Sequence, residues 1–96
     1  MAQIAEEQLR KMVVELRGNI AKLDVVKEEL NEYMKKYSEA KPNKVTYDAL
    51  NETYMELESD FVKIEDFIRE CISFTEGTIR RIDEYKNNIT DINKFG

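Results

Sequence analysis

Apolar residues recur along this chain every three and four positions in two long runs, separated by a single break at Pro42. Spacing of this kind predicts amphipathic α-helices. In the first run a seven-residue grid places Leu9, Leu16, Leu23, Leu30 and Tyr37 at one core position and Met12, Val26 and Tyr33 at a second, where Asn19 is the exception. Val13, Ile20 and Met34 flank these columns and widen the stripe to that of a bundle helix. The second run repeats the grid with Tyr47, Tyr54, Phe61, Ile68, Ile82 and Ile89 at one position and Leu50, Leu57, Ile64, Cys71, Tyr85 and Ile92 at the other. Thr75 and Thr78 interrupt it.

The pattern predicts an all-α, antiparallel two-helix hairpin forming one domain over residues 1–96, with helix 1 over about 3–37, a turn at 38–45 and a longer helix 2 over about 46–93. Pro42 disfavours helical geometry at Lys41 and marks the turn. Thr46 is well placed to cap the second helix, with Asp48 in its first turn and Val45 and Leu50 at the two positions of a hydrophobic staple. Ser73, Thr75, Gly77 and Thr78 are poor helix formers, so residues 73–77 either kink the second helix or are carried within it. Gly18 beside Asn19 weakens the first helix without ending it.

The two runs differ in length, and that difference points to a partner. At 1.5 Å per residue, helix 1 spans about 52 Å and helix 2 about 72 Å. An even fold-back centred near Lys41 sets residue 3 opposite residue 80. Arg81 to Gly96 then lack an intrachain neighbour, although Ile82, Tyr85, Ile89, Ile92 and Phe95 continue the apolar stripe. The tail must fold back after a break near Gly77 or lie against another chain. A second helix apolar around so much of its circumference is expected to complete a helical bundle with a partner. The interface expected from the pattern comprises Phe61, Phe67, Phe74, Ile79, Ile82, Tyr85, Ile89 and Ile92, with Leu9 and Leu16 closing the open end. The partner is a helical protein, a hetero-oligomer being favoured and a self-associating coiled-coil scaffold or adaptor, such as a homodimer, being the alternative.

Charge narrows the partners. The chain carries 15 basic and 20 acidic residues for a net charge of -5. The excess lies after Pro42, where Asp48, Glu52, Glu56, Glu58, Asp60, Glu65, Asp66 and Glu70 are matched only by Lys63 and Arg69. Such a balance repels phosphate backbones and anionic lipid, so neither nucleic-acid binding nor membrane insertion is expected. The acidic run reads as a solvated helix face or as a dock for a basic partner.

Chemistry is sparse. The chain has no histidine, which removes histidine acid-base catalysis and histidine metal ligation, and pairs such as Glu28 with Glu32 lie on polar faces with no pocket to raise a pKa. Cys71, the only cysteine, occupies a core grid position and reads as inert packing. No enzymatic activity, cofactor or metal is expected. Tyr33, Tyr37, Tyr47 and Tyr54 bracket the turn and form either a hairpin-end core or a partner surface. Asn19 either fixes register or marks an exposed end of the stripe.

The two antiparallel helices in 96 residues, the turn at 38–45, the acidic balance and the apolar second arm running past Tyr85 resemble the small helical hairpins of type VII secretion, the WXG-type or ESAT-like superfamily. Two of its marks differ here. The turn reads Ala40-Lys41-Pro42-Asn43 without a Trp-x-Gly, and Tyr85 is followed four positions later by Ile89 instead of an acid. The closer likeness is to the Trp-less branch resembling the small helical partners of LXG toxins. That resemblance implies a targeting factor or chaperone bound to the helical domain of the toxin, cytoplasmic and exported, if at all, without a cleaved signal peptide.

Overall fold

The computed structural model describes the backbone of residues 2–95 and the side chains of residues 5–88. Two helices, α1 (Ala2–Glu39) and α2 (Lys44–Phe95), account for almost all of it, and no strand occurs among the described residues.

The link between them is shorter than the sequence suggests. Lys41, held before Pro42, takes a left-handed φ of 54° and ends α1. The Ala40 amide donates to the Lys36 and Tyr37 carbonyls, and the Lys41 amide to that of Ser38, so the last turn tightens and closes. Asn43, not Thr46, caps α2. Its side-chain oxygen accepts from the Val45 amide at 2.9 Å, while its carbonyl accepts from the Tyr47 amide. Asparagine caps at least as well as threonine, and starting there adds two residues to the helix.

α2 does not break at 73–77. The Thr75 and Thr78 hydroxyls donate to the Cys71 and Phe74 carbonyls one turn back, which satisfies them inside the helix. Ile72 and Ile79 on either side are buried, and that packing outweighs the weak propensity of the segment. Gly18 has nothing within 4 Å of where a Cβ would stand. Gly18→Ala is therefore expected to stabilise the fold by about 1 kcal/mol in a urea titration followed by circular dichroism.

The chain divides into two compact units, one combining Met1–Gly18 with Ile68–Gly96 and the other formed by Asn19–Phe67. In the first, Val13, Ile72 and Ile79 are buried among half-buried Leu9, Leu16, Ile68, Thr75 and Ile82. In the second, Met34 is buried, with Ile20, Leu23, Leu30, Tyr37, Tyr47, Tyr54 and Phe61 half-buried. No large described side chain is completely enclosed. One layer of two helical segments has no third element to cover its core.

These burials define the seam. With Glu6, Val13, Ile20, Lys27 and Met34 as position a of a heptad, position d is Leu9, Leu16, Leu23, Leu30 and Tyr37. In α2 the corresponding columns are Asn51, Glu58, Glu65, Ile72, Ile79 and Lys86 at a, and Tyr47, Tyr54, Phe61, Ile68, Thr75 and Ile82 at d. One expected core column in each helix is thus correct. The other is displaced by one residue: Met12, Asn19, Val26, Tyr33, Leu57, Ile64 and Tyr85 are exposed, and Leu50 and Cys71 are only half-buried. They occupy position g, beside the seam. Asn19 accordingly fixes no register within the chain.

Candidate partner-binding faces

The two sides of the seam differ in chemistry. In an antiparallel helix pair, position e of one helix faces e of the other, and g faces g across the opposite side. The first unit shows the e side directly. Arg10 and Arg17 lie there on α1, and they meet Asp83 at 3.2 Å and Glu76 at 2.8 Å on α2. Exposed pairs of this kind add little stability, but they set which residues stand opposite.

At the outer end of this unit Glu6 is almost buried and accepts from Lys86 at 2.6 Å and from Arg10 at 2.8 Å. The Lys86 contact, then the Arg10 contact, lowers the Glu6 carboxyl from 4.5 to about 2. Asp83 moves the other way, chiefly through its hydrogen bond with Glu6 and then through burial. This clasp corrects the expected overhang as far as Lys86, because Asp83 and Lys86 have intrachain partners. Side chains on both helices lean toward their own N-termini, so those of α1 reach away from the turn and those of α2 back toward it. Arg17 meets Glu76, where equal rise from Lys41 would set Glu65.

A lowered folded pKa stabilises above the unfolded value and is lost as pH falls through the folded one. Glu6 therefore supports the fold above pH 4.5, and its contribution disappears between pH 4.5 and 2, while the raised Asp83 opposes part of that loss. Glu6→Gln is expected to flatten the fall of melting temperature across that window. An unchanged acid limb would show that the clasp contributes nothing.

The g side is apolar. In the Asn19–Phe67 unit it carries Val26 and Tyr33 from α1 and Leu57 and Ile64 from α2, with Phe67 next to them at position c. Ile64 is 48% and Phe67 65% exposed. In the other unit Met12, Phe74 and Tyr85 hold the equivalent positions, Phe74 being 68% and Tyr85 67% exposed. Tyr33 also stacks on Tyr37 at 6.0 Å, and Tyr37 on Tyr47 at 6.5 Å, which fixes the ring at the edge of the face.

The expected interface residues fall into three groups. Phe67, Phe74 and Tyr85 are on the exposed g side, whereas Ile82, Leu9 and Leu16 are half-buried in the seam and Phe61 is half-buried at its d position. Ile79 is corrected outright: at 6% exposure it belongs to the core of its unit, because position a points at the facing helix. Ile89 and Ile92 lie outside the residues whose side chains are described. Met12, Val26, Tyr33, Leu57 and Ile64 were missing from the interface because they fitted the core grid equally well. The signal that separates the columns is polar: Lys27, Asn51, Glu58 and Glu65 sit at a, so in the second unit the outward g column of α2 is more apolar than its inward a column.

Tyr54 stands apart from the other turn tyrosines. With Lys27, Glu28, Asn31, Glu58, Phe61 and Val62 it lines an open groove of about 340 Å³ on the e side of the Asn19–Phe67 unit. Burial, and then its hydrogen bond with Glu58, raise the Tyr54 pKa and keep the phenol protonated.

Among the described residues no cluster of His, Cys, Asp and Glu could hold a metal ion, and no helix is long and apolar enough to cross a membrane. The class defined by fold and faces is a two-helix, all-α protein with apolar surface left beside its seam. The chain matches no protein-family model, no curated protein and no solved structure.

Proposed function

We propose that this chain is a non-enzymatic partner-binding protein whose g side docks a helical segment of another protein. The observation that carries the reading is the exposed apolar column of Val26 and Tyr33 on α1 and Leu57 and Ile64 on α2, set beside half-buried Asn51 and Glu65 in the same second helix. Covering one large aliphatic or aromatic side chain contributes about 1.5 to 3 kcal/mol, so leaving this column in water forgoes several such contributions. A partner helix lying along g, and touching c and d, recovers them and gives α2 its second neighbour in a helical bundle.

The resemblance to the Trp-less helical partners of LXG toxins gives that partner a class. On this reading the chain is a targeting factor or chaperone that binds the helical domain of a type VII secretion effector, forming a hetero-oligomer in the cytoplasm before any export. Co-expression with the product of the adjacent gene, followed by affinity capture and light scattering, tests it. A stable complex with a helical toxin domain is expected. A homodimer that persists in the presence of that domain would replace the targeting role with a self-associating scaffold.

A further inference from the structure

We propose that the groove on the e side of the Asn19–Phe67 unit is a second docking surface, for a basic amphipathic helix of another protein. Its floor is apolar: Tyr54, Phe61 and Val62 line it, and exposed Met55 continues the e column of α2 toward the turn. Its walls are acidic. The e, a and b positions on this side carry Asp24 and Glu28 from α1 and Asp48, Glu52, Glu58, Glu65 and Asp66 from α2, all but Glu65 exposed, against Lys27, Lys35 and Lys44. The g side of the same unit is less acidic, with Glu29, Glu32, Glu39, Glu56 and Asp60 against Lys22, Lys36 and Lys63 at the neighbouring c and f positions. The acid excess along residues 48–70 is therefore heavier beside the hydrophobic trough, where Asp48, Glu52, Glu58, Glu65 and Asp66 lie, than on the side of Glu56, Asp60 and Glu70.

That combination selects an occupant. The trough accepts an apolar stripe, and the surrounding carboxylates favour Lys and Arg flanking that stripe, steering its approach and fixing its orientation. Half-buried Lys27 lines the same trough. A second copy of the chain is disfavoured because it would bring acidic walls against acidic walls. Anionic lipid and nucleic acid are repelled for the same reason.

The test uses the full chain and a fluorescent synthetic helix with leucines on one face flanked by lysines and arginines, with anisotropy as the readout. Saturable binding that weakens with salt is expected, with about a tenfold loss on E28Q combined with E58Q. Val62→Asp should remove binding, whereas Ile64→Glu with Phe67→Glu on the opposite side should leave it unchanged. The last variant separates this surface from the proposed function: losing the helical partner of the g side leaves the groove intact, and the converse also holds. The proposal is overturned if a scrambled peptide of the same composition binds equally well, or if the two glutamines have no effect. It is equally overturned if Ile64→Glu with Phe67→Glu abolishes binding, or if light scattering shows a dimer that Val62→Asp converts to monomer.

Discussion

Ile79→Asp is expected to destabilise the Met1–Gly18 and Ile68–Gly96 unit by about 4 kcal/mol, whereas Phe74→Asp, on the same helix, should cost little or nothing. The contrast follows from position. Ile79 is 6% exposed against the facing helix, and a carboxylate there is deprived of water while the neighbouring Arg10 and Arg17 already pair with Glu6, Asp83 and Glu76. Phe74 is 68% exposed at position c, so an aspartate replacing it stays solvated and loses only helix propensity. Urea titrations followed by circular dichroism measure both. Equal losses would mean that Phe74 supports the fold as much as Ile79 does, and position c could not be an open face.

The choice of core columns is where sequence pattern and folded structure part. The number of helices, the turn around Pro42 and the column containing Leu9, Leu16 and Leu30 were legible because a stripe of period three and four has one physical explanation. The choice between Met12 and Val13, or between Ile64 and Glu65, was not. Positions a, d and g occupy one broad arc of a helix, and apolar content alone does not say which two of the three face the nearest neighbour. In α2 it favours the wrong pair, since Leu57 and Ile64 are more apolar than Glu58 and Glu65. In the unit of Met1–Gly18 and Ile68–Gly96 what decides is a relation between the helices: Arg10 with Asp83 and Arg17 with Glu76 place e against e. No single helix carries that information. The same relation corrects the overhang as far as Lys86, because a count of residues on either side of Lys41 does not show which side chains meet. The Asn43 cap was missed for a local reason, as Pro42 at the preceding position looked like part of a longer loop.

The second large effect concerns association. Ile64→Glu together with Phe67→Glu is expected to weaken binding of the helical partner at least a hundredfold while leaving the isolated chain folded. Each substitution removes an apolar contact and sets a carboxylate against the partner's apolar stripe, and two such losses together exceed 2.7 kcal/mol on the order of magnitude given by area burial. Stability is spared because both side chains are already in water, at 48% and 65% exposure. Isothermal titration of the partner measures the first quantity and thermal melting the second. A double variant that binds normally removes the g side of the Asn19–Phe67 unit from the interface. One that unfolds alone means those residues support the chain itself.

The central claim is that the g side is open in the isolated chain and covered in the complex. Thiol labelling tests it most directly, with a single cysteine placed by Ile64→Cys in a chain that also carries Cys71→Ser, and the reaction followed with and without the helical partner. The account predicts rapid labelling alone and strong protection in the complex. Slow labelling of the isolated chain, or labelling that the partner leaves unchanged, would contradict it.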